Sequence, residues 1–300
     1  MNISKLYQLS FLLLLIFLGS CNKKLYNTTT LGPTVPKDFK VVGYLSSKNF
    51  DKVDSLQLNY LTHLNLAFAN PDRNGNLIFN NEQNLAKVVE KAHNAHVKVF
   101  LSIAGGGIDS ERAQYWLNML QPENRTIFIN KILGFATKYN LDGIDVDIEN
   151  NLLPTITNLY TPFVVELKTT LHAAGKGIST ALNVSGLNDA ITQEALQAYD
   201  SINIMVYDKT GPWRPEIPGP HAPFSYASEA LEYWTHERKI PASKLTLGVP
   251  FYGYNFYPLP ATSMGFGNLV KLDPKYAYVD QVGSLFYNGI PTMVDKTELA

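Results

Sequence analysis

Cysteine is almost absent from this 300-residue chain, and its single thiol, Cys21, excludes both a disulfide framework and a cysteine-based zinc site. Charge is sparse: charged residues make up 17% against 45% hydrophobic, the reverse of a disordered chain. Neither sign is in excess. With 25 Lys+Arg against 26 Asp+Glu, no basic field steers the protein to nucleic acid or anionic lipid. A phosphate-cradling glycine loop is missing as well. Ser46-Ser47-Lys48-Asn49 stands where a doubly wound sheet would carry one, and Ala104-Gly105-Gly106-Gly107 lacks the G-x-G-x-x-G spacing. After residue 40 there is no internal repeat, no linker between domains and no apolar run of membrane-spanning length. What is plentiful is aromatic surface, 17 Tyr, 15 Phe and 3 Trp, which suits a polar ligand with apolar faces.

The N-terminus reads as an address. Lys5 precedes an apolar run from Phe11 to Leu18, too short for a stable bilayer span, which ends in Gly19-Ser20. Residues 1–20 therefore read as a secretory signal. Leu18-Gly19-Ser20-Cys21 resembles a bacterial lipoprotein processing site, which implies a mature chain acylated at Cys21. Residues 21–39, with Thr28-Thr29-Thr30, Gly32, Pro33 and Pro36, read as a tether. The expectation is an exported protein, lipid-anchored in the cell envelope, with one functional domain over residues 40–300.

From residue 41 onward, short β-branched runs alternate with helical patterns. Val41–Leu45, His63–Phe68, Val97–Ile103, Gly143–Glu149, Ile178–Val184, Ile202–Tyr207 and Leu245–Phe251 read as strands. Glu82–Ala95, Arg125–Tyr139, Leu159–Ala174 and Ser225–Lys239 read as helices. Strand-then-helix alternation with polar residues at the strand C-termini predicts an α/β (β/α)₈ barrel, of which seven strands are readable.

Within the fourth strand, Asp145, Asp147 and Glu149 recur every second residue, so a strand turns all three to one face, consecutive members roughly 6–7 Å apart. Ile144, Val146 and Ile148 take the other face. A barrel interior is normally filled by apolar side chains, so three carboxylates there are unfavourable for folding. Each raises the others' pKa, and a carboxyl kept protonated is what a general acid requires. Glu149, outermost in the row, is placed to reach a substrate. A solvent-facing acidic strand is the alternative reading. A metal site is disfavoured, since no histidine lies near the strand in sequence. Asp142 has the opposite parity, which predicts a structural hydrogen bond. Trp116 and Trp234 fall in helical patterns and read as core anchors, and loop His221 receives no role.

Asp142-Gly143-Ile144-Asp145-Val146-Asp147-Ile148-Glu149 resembles the D-x-x-D-x-D-x-E motif of glycoside hydrolase family 18, the chitinases and endo-β-N-acetylglucosaminidases. Ser102-Ile103-Ala104-Gly105-Gly106 is similar to its strand-three stretch, with Ala104 in place of a glycine. Met205-Val206-Tyr207-Asp208-Lys209-Thr210-Gly211-Pro212-Trp213 resembles its M-x-Y-D-x-x-G-x-W segment, and Gly248 to Gly253 its seventh strand. The likeness runs from about residue 40 to the end.

The resemblance implies hydrolysis of β-1,4-linked N-acetylglucosamine with retention, the substrate's 2-acetamido group acting as nucleophile, with neither cofactor nor metal. It implies Glu149 as acid and base, Asp147 holding the acetamido N–H, Asp145 sharing a proton with Asp147, and Tyr207 donating to the acetamido oxygen. Tyr44, Phe68, Asn183, Met205, Asp208, Trp213 and Tyr252, at or beyond strand C-termini, are the expected substrate-binding rim. The partner is a chitin oligosaccharide or an N-glycan core, and a monomer is expected. The alternative is a chitinase-like carbohydrate-binding protein with weak or no turnover. About 35 residues after the seventh strand suggest no room for the α+β insertion of many relatives, hence a short open cleft. Thr292 reads as N-cap of a seventh helix. In the family an eighth strand with a sugar-flooring tryptophan follows, so the chain is expected to be C-terminally truncated.

Overall fold

The computed structural model describes residues 39–149, 152–184 and 187–300. The expected signal, Cys21 and all but the last residue of the expected tether lie outside that range. The barrel strands follow the apolar runs: β1 (Val42–Ser46), β2 (His63–Pro71), β4 (Lys98–Ala104), β5 (Gly143–Asp147), β6 (Gly177–Asn183), β7 (Ser201–Met205) and β8 (Leu245–Leu247). They pair in that order and all in parallel, while the short β3 (Leu77–Phe79) adds antiparallel to β2. This is the (β/α)₈ barrel architecture, with seven parallel strands among the described residues and β1 and β8 as the ends of the ladder.

Helices cover the outer face. They are α1 (Leu85–Asn94), α2 (Ser110–Met119), α3 (Pro122–Lys138), α4 (Leu152–Ala173), α5 (Gln193–Ala198) and α6 (Phe224–Glu232). On α4, buried Leu153, Ile156, Tyr160, Phe163, Val164, Leu167 and Leu171 recur at three- and four-residue steps, the stripe that seats a helix on a sheet. The ends are set locally. Asp109 caps α2 by accepting from Arg112 N–H at 2.8 Å, Thr192 caps α5 through Ala195 N–H at 3.2 Å, and Pro122 opens α3. Outward-facing Val99, Leu101, Ile103, Ile144 and Val146 are fully buried beneath this layer, as are Trp116 and Trp234, the expected anchors. Each such aliphatic contributes about 1.5–3 kcal/mol over its exposed state.

The barrel interior closes at its base on one ring. Phe100 of β4 lies across Gly143 and Gly177, and a Cβ on either glycine would stand 2.5 and 2.8 Å from that ring. Glycine is required there because the phenyl group occupies the side-chain space of the next two strands, β5 and β6. Above Phe100, the parallel register puts Ser102, Asp145 and Ser179 at one level, then Ala104 and Asp147 at the next.

Two expectations change beyond β8. An α+β insertion is present. Strands β9 (Tyr252–Asn255), β10 (Thr262–Gly265), β11 (Gln281–Val282) and β12 (Leu285–Phe286) form an antiparallel sheet in the order β10-β9-β12-β11, with α7 (Phe266–Leu272) beside it. Its strands are two to four residues long, too short to show a period, and Leu269, Leu285 and Tyr287 suffice as its core. The final helix α8 (Ile290–Leu299) has Gly289 as its N-cap, earlier than the expected Thr292, because Pro291 is pre-set for a first turn and the Thr292 hydroxyl instead donates to Asp280 at 2.6 Å. Among the described residues, no helix is long and apolar enough to cross a membrane.

Candidate active site

The acidic row stands where its parity puts it. Asp145 and Asp147 point into the barrel from β5 and are 0% and 3% exposed. Glu149 follows the strand, half-buried, and its carbonyl accepts the first N–H groups of α4, from Leu152 at 3.0 Å and Leu153 at 3.4 Å. Strand geometry orders the row and the hand-over to α4 frees its outermost member.

Asp145 is saturated with donors. Tyr44 Oη at 2.9 Å and Ser102 Oγ at 2.8 Å donate to Oδ2, while Ser179 Oγ at 2.6 Å and Asn203 Nδ2 at 3.3 Å donate to Oδ1. Burial pushes its pKa up, and the hydrogen bonds oppose that push. Asp147 is treated differently. Its Oδ1 has no partner among the described residues, and its side-chain hydrogen bond runs to Glu149. Burial, then the charges of Glu149 and Asp145, drive Asp147 well above the carboxylate range. Glu149 is raised too, by burial and by Asp208, against the hydrogen bond from Asp147. The two carboxyls titrate as a coupled pair, and the site favours keeping a proton between them.

Tyr207, just past β7, faces this cluster. Burial, then the charges of Asp147, Glu149, Asp208 and Asp145, hold its phenol strongly protonated, so it is available only as a donor or a neutral acceptor. Tyr44 is split along its length. The residue is 41% exposed, yet its hydroxyl is sunk between Asp145 and Asn203, whose Nδ2 donates to it at 3.0 Å. An amphipathic ring with a fixed tip is a rigid wall for a ligand face. Phe68, 38% exposed, packs on Gly105, where both the φ of +88° and the 2.8 Å at which a Cβ would meet the Phe68 ring demand glycine.

A second group stands across the mouth. Asp208 Oδ1 accepts from Tyr252 Oη at 2.6 Å and Tyr254 Oη at 3.0 Å, and Trp213, 56% exposed, meets the Tyr254 ring edge-on at 5.6 Å. Burial would raise Asp208, but hydrogen bonds from His221, Tyr252 and Tyr254 outweigh it and hold the carboxyl below its ordinary range. Asn183 and Met205 end neighbouring strands as a register pair, half-buried. Asp142 has the structural role its parity predicts, accepting from Val99 N–H at 2.7 Å and meeting His93 Nε2 at 2.8 Å. Among the described residues, no group of side chains could hold a metal ion.

Sequence reasoning missed Ser102, Ser179, Asn203, Tyr254 and His221. The first three were findable, being polar residues at inward positions of apolar strands. Tyr254 and His221 carry no such signal, because their partner Asp208 lies 46 and 13 residues away.

The profile of the family described as Glycosyl hydrolases family 18 matches residues 40–299. The crystal structure of the GH18 chitinase ChiB from the chitin utilization locus of Flavobacterium johnsoniae superposes with a TM-score of 0.82 at 43% identity, covering 87% of this chain and 83% of that one. A chitinase-like effector of Moniliophthora roreri is 33% identical over 237 residues, 70% of this chain and 57% of its own length. An endochitinase of Manduca sexta is 28% identical over 235 residues, 68% of this chain and 42% of its own. The chain thus spans about half the length of the curated relatives it matches. With the barrel, the buried acidic row and the match from residue 40 to residue 299 in agreement, the chain belongs to glycosyl hydrolase family 18.

Proposed function

We propose that the protein hydrolyses β-1,4-linked N-acetylglucosamine in chitin-type oligosaccharides, with retention and with the substrate's acetamido group as nucleophile. The observation that carries this reading is the carboxyl row of β5, Asp145 and Asp147 buried and Glu149 half-buried at its outer end, beneath an aromatic rim. The proton shared with Asp147 passes to Glu149, which delivers it to the leaving oxygen and then serves as base toward water. As it loses its proton, the acetamido carbonyl oxygen attacks the anomeric carbon and a cyclic oxazolinium forms. Asp147 turns to the acetamido N–H and offsets the developing positive charge, while Asp145, anchored by four donors, keeps the site negative from behind. The Tyr207 hydroxyl donates to the acetamido oxygen. No second carboxylate about 5 Å from the acid is required, as in the substrate-assisted exceptions to the two-carboxylate scheme.

Chitin-type oligomers are preferred to an N-glycan core on the names of the relatives: ChiB is a chitinase of a chitin utilization locus and the Manduca protein an endochitinase. The α+β insertion agrees, since its first strand supplies Tyr252 and Tyr254 to the mouth and so gives the cleft a second wall. Release of aryl alcohol from an aryl N,N′-diacetylchitobioside tests the reading. Wild type should turn over and Glu149→Gln should fall by ~10³ or more while still binding oligosaccharide. Binding by wild type without product would instead indicate a chitinase-like binding protein. An α-anomer as first product, seen by NMR, would sink the substrate-assisted mechanism.

A further inference from the structure

We infer that His221 is a positioning residue, locking Asp208 into the mouth opposite Glu149 from a fully buried seat in the loop after β7. The imidazole is 1% exposed. Its Nδ1 stands 3.4 Å from Asp208 Oδ1 and equally 3.4 Å from Asp208 N, and its Nε2 lies 3.2 Å from the Tyr252 carbonyl oxygen. The two Nδ1 contacts cover both protonation states. A neutral ring with its proton on Nε2 donates to Tyr252 O and accepts the Asp208 backbone N–H. A protonated ring donates from Nδ1 to the Asp208 carboxylate and still donates from Nε2. Asp208 is held either way.

Asp208 needs a hold of this kind. Its φ of +60° is left-handed, a conformation that costs a non-glycine residue free energy unless its surroundings impose it. His221 imposes it by gripping both backbone and side chain, and its own carbonyl accepts Lys209 N–H at 2.9 Å, which closes the loop on the next residue. The seat is rigid. Tyr252 and Tyr254 pack on the imidazole at 5.1 and 4.9 Å between ring centroids. The adjacent Ala222 carbonyl accepts from Lys296 Nζ at 2.8 Å and from Asn288 Nδ2 at 2.9 Å. Lys296 is itself fully buried, so α8 and the insertion are both tied to the loop through this one carbonyl.

The fixed group acts on the acid. The titratable groups around Asp208 are Glu149 past β5, Tyr207 past β7, Tyr226 on α6, Tyr252 and Tyr254 on β9, and His221. Among these, the Asp208 charge favours the protonated form of Glu149, the form that must open the reaction. With His221 removed, Asp208 is less firmly ionised and less firmly placed. The alkaline limb of the activity profile, set by loss of the Glu149 proton, then moves to lower pH.

The kinetic arm of the test rests on the proposed hydrolase reading, and a second arm does not. An Asn amide nitrogen can occupy the place of Nδ1, whereas a Gln amide reaches only the place of Nε2. His221→Gln should lose ~10-fold or more in kcat with KM within about 3-fold, and its alkaline limb should shift down. His221→Asn should recover most of that loss. Equal kcat losses in the two variants, or loss of Tm alone with an unmoved pH profile, would overturn the inference. The second arm is long-range ¹⁵N NMR of the imidazole in the full chain. Asp208→Asn should shift the Nδ1 resonance of His221, and an unmoved resonance overturns the positioning role whether or not wild type turns over. If His221→Gln does not fold, this arm and His221→Asn decide the matter. A wild type without turnover whose Nδ1 resonance responds to Asp208→Asn removes only the hydrolase reading.

Discussion

The two ends of the barrel treat the same residue type in opposite ways. At the N-terminal end, Asp142 and Asp200 each stand just before a strand, accept a backbone N–H from the neighbouring strand (Val99 at 2.7 Å, Ile178 at 2.9 Å), and meet a histidine near the end of the helix that leads into that neighbouring strand, α1 or α4. His93 is 2.8 Å from Asp142 and His172 is 3.1 Å from Asp200. Each carboxylate there has dedicated partners. At the C-terminal mouth, Asp147 and Glu149 have chiefly one another. Asp145, three residues from Asp142, lies between these regimes, with four donors but no exposure. Carboxyls that hold strands together are matched to donors, whereas carboxyls left to share a proton are those the fold retains at a cost, and that cost is the mark of the site.

The contrast can be broken by mutation, and the largest effect belongs to the mouth. Glu149→Gln should reduce turnover by ~10³ or more, equivalent to about 4 kcal/mol of transition-state stabilisation, while Asp142→Asn and Asp200→Asn leave kcat within about 2-fold. A comparable loss from either N-terminal variant in the same assay would erase the distinction. Asp145→Ala should next lose both properties, because it leaves the hydroxyls of Tyr44, Ser102 and Ser179 and the Asn203 amide without their acceptor. Its expected stability loss is about 2–4 kcal/mol by urea unfolding, with a fall in activity. Asp142→Ala should cost less, about 1–2 kcal/mol, with turnover intact, since one N–H and one half-exposed histidine lose their partner.

The smallest effect is in pH dependence. Folding raises the pKa of both Asp147 and Glu149, so it favours their protonated forms. That contribution to stability is fully present below about pH 4 and is lost as pH rises through the raised values. Glu149→Gln removes one coupled carboxyl. Its Tm should therefore gain on wild type steadily between about pH 4 and pH 8, and a constant gap across that window would show that the pair is not coupled.

Much of this was legible along the chain. The strand runs place β1, β2 and β4 through β8 but not the three-residue β3, and the two-residue step of Asp145, Asp147 and Glu149 places the carboxyls on one face, because pleating depends on nothing but local backbone geometry. The insertion was not legible, since strands of two to four residues have no period to read. Nor was the Asp147–Glu149 bond, which depends on Glu149 leaving the strand at the turn into α4.

What the sequence determined by itself was the barrel, the inward acidic row and the opposite parity of Asp142. All three are consequences of periodicity within single elements. Only the tertiary structure decided which groups meet across the mouth. The Tyr44 hydroxyl reaches Asp145 over 101 residues, Asn203 reaches Tyr44 over 159, and His221, Tyr252 and Tyr254 converge on Asp208 from a loop and an inserted strand. Such meetings follow from closing a curved sheet and docking an insertion on its rim. A one-dimensional pattern carries no record of them, because separation along the chain places no constraint on approach in space once the strands are packed side by side.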